Sequence, residues 1–265
     1  MRKFLLGMAM LAGAAAGPAA AGTLVVSGDS TIVPRLVTGL ANGDPALAGN
    51  ATFFRNLLGG GDRASIYTFS VVNSFPNPPL GEQLATAYAS LGVAATNFPG
   101  AVTADVLAGA DLLVVLGRSN VFTAEEAGLV RSFLLGGGNV LLTGESDNIG
   151  FGANAINNAL LEAIGSSIQL DQVTQGIGDQ FATDGEIGAD PLTAGVLSFG
   201  YGRTTTLSGG TTLFLNDSGN PFVAAELIAA AVPEPAAWAL MIVGAGAVGG
   251  AMRRRRAGTG AARTA

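Results

Sequence analysis

The sequence predicts an α/β fold: a mostly parallel sheet flanked by helices, with antiparallel strands near its C-terminal edge. Three observations predict it. Leu112-Leu113-Val114-Val115-Leu116 is wholly apolar, the pattern of a strand buried on both faces of a parallel sheet. Thr123-Ala124-Glu125-Glu126 then reads as a capping box opening a helix to Leu135, which Gly136-Gly137-Gly138 stops before a second apolar strand, Asn139 to Thr143. Strand, helix, strand makes a βαβ unit, whose crossover is right-handed. After residue 168 the chain turns to short β-rich segments separated by glycines.

Taken in order, Thr23 to Ser27 is a short apolar strand ending at Gly28-Asp29. A polar, glycine-containing connection follows, with a turn signal at Asn42-Gly43-Asp44-Pro45. Thr52 to Leu58 suits a helix, stopped by Gly59-Gly60-Gly61, and Ser65 to Val72 is rich in β-branched and aromatic residues, as strands are. Pro76, Pro78 and Pro79 break the chain. Glu82 to Leu91 has helical spacing, with Leu84, Ala87, Tyr88 and Leu91 on one face. The capped helix is expected to turn Leu129 and Phe133 inward, with Val130 beside them. Ile156, Ala159, Leu160, Ala163 and Ile164 give a further amphipathic helix. Val196 to Phe199, Thr204 to Leu207 and Thr211 to Leu215 read as strands, the last two joined as a hairpin through Ser208-Gly209-Gly210. Pro221 to Ala231 suits a closing helix.

Both ends differ from this body. Residues 1–22 have the layout of a secretory signal: Arg2 and Lys3, an apolar run from Phe4 to Ala16, and Pro18 with small residues before a cleavage site after Ala21. At the other end, Val232-Pro233-Glu234-Pro235 precedes an uncharged stretch over 236–252. At the helical rise such a stretch spans about 25 Å, the lower limit for a membrane-crossing helix. Arg253-Arg254-Arg255-Arg256 follows and places that flank in the cytoplasm. The expected organisation is a signal peptide over 1–22, an exported body over 23–231, a sorting segment over 232–256 and a short cytoplasmic tail over 257–265.

Pro233-Glu234-Pro235, Trp238-Ala239, the glycine-rich apolar helix and the four arginines together resemble the PEP-CTERM sorting signal, a tail also labelled an "ice-binding protein C-terminal" domain. The resemblance implies a temporary inner-membrane anchor, an exosortase as processing partner, and a cell-surface or extracellular destination associated with exopolysaccharide. The body resembles the class I glutamine amidotransferase-like fold, a flavodoxin-like sheet. The residues that carry this are the strand order around Asp111 to Ser146 and Asp190-Pro191-Leu192-Thr193-Ala194-Gly195. Related chains carry their Cys nucleophile in the turn that matches Gly144-Glu145-Ser146-Asp147-Asn148, so the resemblance places Ser146 at the nucleophile position.

Composition narrows the chemistry. The chain has neither Cys nor His, which excludes disulfides, thiolate and imidazole metal sites, and the Cys-His and Ser-His-Asp mechanisms. The whole chain carries −6, but residues 23–232 hold six arginines against 18 acids, a balance of −12. Such a body lacks the cations that nucleic-acid binding requires. Gly136-Gly137-Gly138 lacks the Lys-Ser/Thr of a phosphate loop.

The candidate ligand rim follows from the fold class, because ligands in open α/β sheets bind beyond the carboxyl ends of the strands. Asp29, Arg118, Glu145, Ser146 and Asp147 all follow predicted strands directly and so are expected to converge there. Asp171, Asp179, Asp184, Glu186 and Asp190 form an acidic tract among glycines, with the oxygen ligands a calcium site would draw on but no EF-hand spacing. No other cofactor is indicated. The reading is an exported, non-catalytic surface or matrix protein. The alternative is a carboxylate-dependent extracellular hydrolase acting on polysaccharide or a related polymer, with Glu145 and Asp147 as its first candidates.

Overall fold

The computed structural model describes residues 21–68, 80–117, 120–145, 152–176 and 178–228. Arg118, Ser146, Asp147, the apolar run of the expected signal and the expected sorting segment lie outside these residues. The chain forms β1 (Thr23–Ser27), α1 (Ile32–Asn42), α2 (Ala48–Asn56), β2 (Arg63–Thr68), α3 (Leu80–Ser90), β3 (Ala94–Phe98), the single turn α4 (Ala104–Leu107), β4 (Leu112–Leu116), α5 (Ala124–Leu135), β5 (Asn139–Thr143) and α6 (Ala153–Ile164). Short strands follow: β6 (Gln169–Gln175), β7 (Gln180–Thr183), β8 (Ser198–Tyr201), β9 (Thr204–Ser208), β10 (Thr211–Leu215) and β11 (Pro221–Leu227).

The central sheet has the order β10-β11-β1-β5-β4-β2-β3. Its five members from β1 to β3 are parallel, while β11 and β10 are antiparallel. The mostly parallel sheet, the flanking helices and the antiparallel C-terminal edge agree with the sequence. The strand order is more particular. A flavodoxin-like sheet runs 2-1-3-4-5, and here β2 to β5 follow the 2-1-3-4 part while β1 takes the fifth place. The long crossover through α1 and α2 carries the chain past β5 and β4 before β2 begins.

Alternating side chains divide the core in two. Val25, Ile66, Val114 and Leu141 face α1, α2 and α3; Leu24, Val26, Leu113, Val115, Val140 and Leu142 face α5 and α6. The first face holds an aromatic cluster in which Phe199 stacks on Phe214 at 4.0 Å and Phe53 meets both edge-on at 5.2 Å. Among the described residues no helix is long and apolar enough to cross a membrane.

Four local expectations need correction. The connection after Asp29 is the helix α1. Pro34 is its third residue, where the missing N–H is one of those a helix leaves unpaired, and Gly39 lets α1 approach Leu47 closely. Pro221 to Leu227 is a strand, not a helix: β11 lies between β1 and β10, and four consecutive residues, Phe222 to Ala225, are buried. β9 and β10 do not form a hairpin, since β9 pairs with β6 and β10 with β11. The turn between them is pinned where Gly209 meets the Ser167 carbonyl, leaving no room for a Cβ. Finally, Leu129 and Phe133 of α5 do pack against the core, as expected, but only partly covered, and the fully buried positions are Glu126, Ala127, Val130 and Leu134. The capping box itself forms as expected.

Candidate functional site

β1 and β5 are neighbours in the sheet, yet the helices that follow them lie on opposite faces. The chain passes from β1 to α1 on one face and from β5 to α6 on the other. Such a divergence marks the end of the sheet at which α/β folds hold ligands. The described residues there are Gly28-Asp29-Ser30-Thr31 and Gly144-Glu145.

Glycines let the segments close on each other. A Cβ at Gly28 would stand 2.1 Å from the Thr205 carbonyl oxygen, and one at Gly202 would stand 2.5 Å from Thr31 Oγ1. The Thr205 N–H donates to the Gly28 carbonyl at 2.8 Å, which brings the start of β9 over the end of β1.

Asp29 sits at the centre and is fully buried. Its Oδ1 accepts from the Thr31 N–H at 2.7 Å. Its Oδ2 accepts from the Thr31 hydroxyl and from the Gly202 N–H, both at 2.7 Å. Burial pushes its carboxyl up to about 7; the Gly202 and Thr31 bonds pull against that rise, and the nearby Glu145 charge adds to it. Glu145 is also buried, and its Oε2 accepts from the hydroxyl of Ser30, which is half-buried.

Behind the rim α6 presents three asparagines. Asn154 and the Glu145 backbone form a reciprocal pair at 3.0 and 2.7 Å, and Asn154 also donates to the Asp171 carbonyl at 3.0 Å. Asn158 clamps Leu170 in the same two-way manner. Asn157 donates to the Thr143 carbonyl at 3.1 Å, and its buried Oδ1 has no hydrogen-bond partner among the described residues.

The structure places Asp29 and Glu145 close enough to interact. Arg118, Ser146 and Asp147 lie outside the described residues. Ser30, Thr31 and Gly202 join the site without having been expected. Ser30 and Thr31 follow a strand directly and share the signal that singled out Asp29. Asn154, Asn157 and Asn158 recur at helical spacing, a second legible signal. Nothing in the sequence marks Gly202.

The acidic tract is spread out. Asp171 lies in β6, where its carboxylate accepts from the Thr206 hydroxyl at 3.2 Å. Asp179 pairs with Arg35. Asp184 opens a short 3-10 turn, Glu186 accepts from the Thr183 N–H at 3.0 Å, and Asp190 caps Leu192 at 2.8 Å. Among the described residues no three acidic side chains gather as metal ligands would. The Asp190-Pro191-Leu192-Thr193 turn serves packing: Asn56 of α2 donates to the carbonyls of Leu192 and Ala194.

Comparison with solved structures finds partial likenesses. The mmIFT52 N-terminal domain is 18% identical with a TM-score of 0.44, over 63% of this chain and 86% of that one. IMPa from Pseudomonas aeruginosa in complex with an O-glycopeptide is 16% identical with a TM-score of 0.35, and the IMPa metallopeptidase in complex with T-antigen is 15% identical with a TM-score of 0.35. Each IMPa likeness covers 54% of this chain, which spans only 15% of the IMPa length. No curated protein matches the chain. The PEP-CTERM protein-sorting motif matches residues 231–256. That motif indicates an exported, envelope-associated protein sorted by an exosortase.

Proposed function

We propose that the chain is a non-catalytic cell-surface or extracellular-matrix protein, held temporarily at the inner membrane by residues 236–252 and associated with exopolysaccharide through the rim at the ends of β1 and β5. The observation that carries this reading is the use made of the rim acids. Both Asp29 oxygens accept bonds from the protein's own backbone and hydroxyl groups, and Glu145 accepts from Ser30. These carboxylates hold loops together. Beside them Ser30 and Thr31 are half-buried, as is Thr206, which bonds to Asp171, and hydroxyls both donate and accept as sugar hydroxyls require.

The test is co-sedimentation of the exported protein, purified from the producing cells, with their own exopolysaccharide. Retention of folded protein, weakened by Thr31→Val and Thr206→Val, is expected. Passage of folded wild-type protein without retention overturns the reading.

A second reading, carboxylate-dependent hydrolysis of polysaccharide or a related polymer, is favoured by one contact: the Ser30 hydroxyl donates to Glu145, as a nucleophile does to a base. Release of reducing ends or of acid from the polymer, lost in both Ser30→Ala and Glu145→Gln, would establish it. Absence of release removes it.

A further inference from the structure

We propose that removal of the leader after Ala21 completes the fold: the α-ammonium group freed on Gly22 becomes the cationic cap on the C-terminus of α5. The proposal rests on cleavage at that bond and is independent of what the rim binds.

The geometry sets the first residue of the cleaved chain against a helix end. Ala21 is exposed and Gly22 is buried. The Gly22 nitrogen donates at 2.7 Å to the carbonyl of Leu134, in the last turn of α5. A Cβ at Gly22 would stand 1.8 Å from the Gly138 carbonyl oxygen, so glycine alone fits there. Gly138 is itself closed over by the Phe133 ring, 2.3 Å from where its own Cβ would be. At the next residue, the Thr23 N–H donates to the Asn139 side chain at 2.8 Å. Chain termini fray unless they are tied down, and this one is tied at two successive residues.

The helix end lacks a cation. The last carbonyls of a helix carry roughly half a negative elementary charge, which a nearby cation stabilises. α5 has Glu125 and Glu126 in its first turn and no basic residue in its last; Arg131 sits a turn earlier. The Leu134 carbonyl also accepts from the Gly137 N–H at 3.1 Å, and the Phe133 carbonyl accepts from Gly136 and Gly138. All of these donors are neutral. The acids on the adjoining elements have other partners: Asp111 accepts from the Asp62 and Arg63 N–H groups, and Glu226 from Ser166 and Ser167.

In the uncleaved chain the Gly22 nitrogen is a neutral amide. Hydrolysis of the Ala21–Gly22 bond by water, catalysed by a secretory peptidase, leaves the new carboxylate on the departing leader and a protonated amine on Gly22. The bond to Leu134 then becomes charge-assisted, about twice as strong as a neutral one.

The sole lysine of the chain is Lys3, so protein cleaved after Ala21 has a single primary amine. N-terminal sequencing of the exported protein, purified from the producing cells, is expected to begin at Gly22. Acetylating its amine in urea and refolding restores a neutral amide that keeps the N–H donor and fills the place of Ala21. At pH 6 acetylation is expected to raise the unfolding constant roughly 3- to 30-fold. The gap should close at about pH 10, above the ordinary α-amino range, where the free amine is neutral too. A first residue other than Gly22, equal unfolding constants at pH 6, or an undiminished gap at high pH overturns the proposal. Should the acetylated chain not refold, the acylation rate of the native protein decides. Reaction at least tenfold slower than in urea supports the cap, and equal rates overturn it.

Discussion

Asp29 and Gly202 are 173 residues apart in sequence, and the Gly202 N–H donates to the Asp29 carboxylate at 2.7 Å in a fully buried site. That bond fastens the end of the first parallel strand to the turn between two late antiparallel ones. It joins the parallel part of the sheet to the late segment whose strands β8 and β9 pair outside it.

Global stability should follow the Asp29 proton. Its folded value, about 7, lies above the ordinary 3.8, so its contribution is fully present below pH 4 and is lost as pH rises to about 7. The decline is on the order of 4 kcal/mol. Urea unfolding of wild type and Asp29→Asn at pH 4.5 and pH 7.5 measures it. The variant should show the smaller difference between the two conditions.

The capping box of α5 also ties down a neighbouring loop. Glu126 is buried and accepts from the Thr123 N–H at 2.9 Å and from the Val102 N–H at 3.1 Å. Glu126→Ala should lower unfolding stability by about 2–4 kcal/mol, because it removes a cap and leaves a second N–H unpaired. Thr123→Ala should lower it by about 1 kcal/mol.

Two glycines in helices should respond in opposite directions. A Cβ at Gly49 in α2 would lie 1.8 Å from the Ser198 carbonyl oxygen, a backbone atom of β8. Gly49→Ala should therefore destabilise by about 3 kcal/mol or prevent folding. A Cβ at Gly128 in α5 meets nothing within 4 Å. Gly128→Ala should stabilise by about 0.5–1 kcal/mol through helix propensity. Thermal unfolding of the two variants distinguishes them.

The aromatic cluster makes the late strands part of the main core. Phe214 of β10 stacks on Phe199 of β8 and meets Phe53 of α2. Phe214→Ala should lose about 3–5 kcal/mol, read from the urea midpoint, whereas Phe214→Leu should lose less because it leaves a smaller void.

Sorting gives a prediction by mass. Protein recovered outside the cell should lack Arg253 to Arg256, and replacing Pro233, Glu234 and Pro235 with alanine should leave those arginines in place. Intact-mass measurement of the cell-surface and membrane fractions tests both.

Much of the first half was legible because its signals are local. The apolar run at Leu112–Leu116, the Thr123–Glu126 box and the glycine stop at Gly136–Gly138 each announce an element within a few residues. α1 was hidden by Pro34 and Gly39, which ordinarily break helices. Here one falls where its missing N–H is harmless and the other at a close contact with Leu47. β11 was hidden for another reason. Its burial on both faces erases the alternation that marks a strand, and Phe222-Val223-Ala224-Ala225 reads equally well as a buried helix. The pairing of β9 with β6 depends on contacts that no short window contains.

The sequence by itself determined the fold class, the capped βαβ unit, the chemistry excluded by the absence of Cys and His, and the sorting tail. It also pointed to Asp29 and Glu145, because both follow apolar strands. Only the tertiary structure decided that these acids would be buried, that Ser30 would bond to Glu145, and that Gly202 would supply a donor for Asp29. Helix caps and strand patterns depend on neighbours within a turn or two, so sequence records them. Burial and long-range hydrogen bonds are properties of the assembled chain. The environment of the Asp29 carboxyl is set by atoms that only folding brings together.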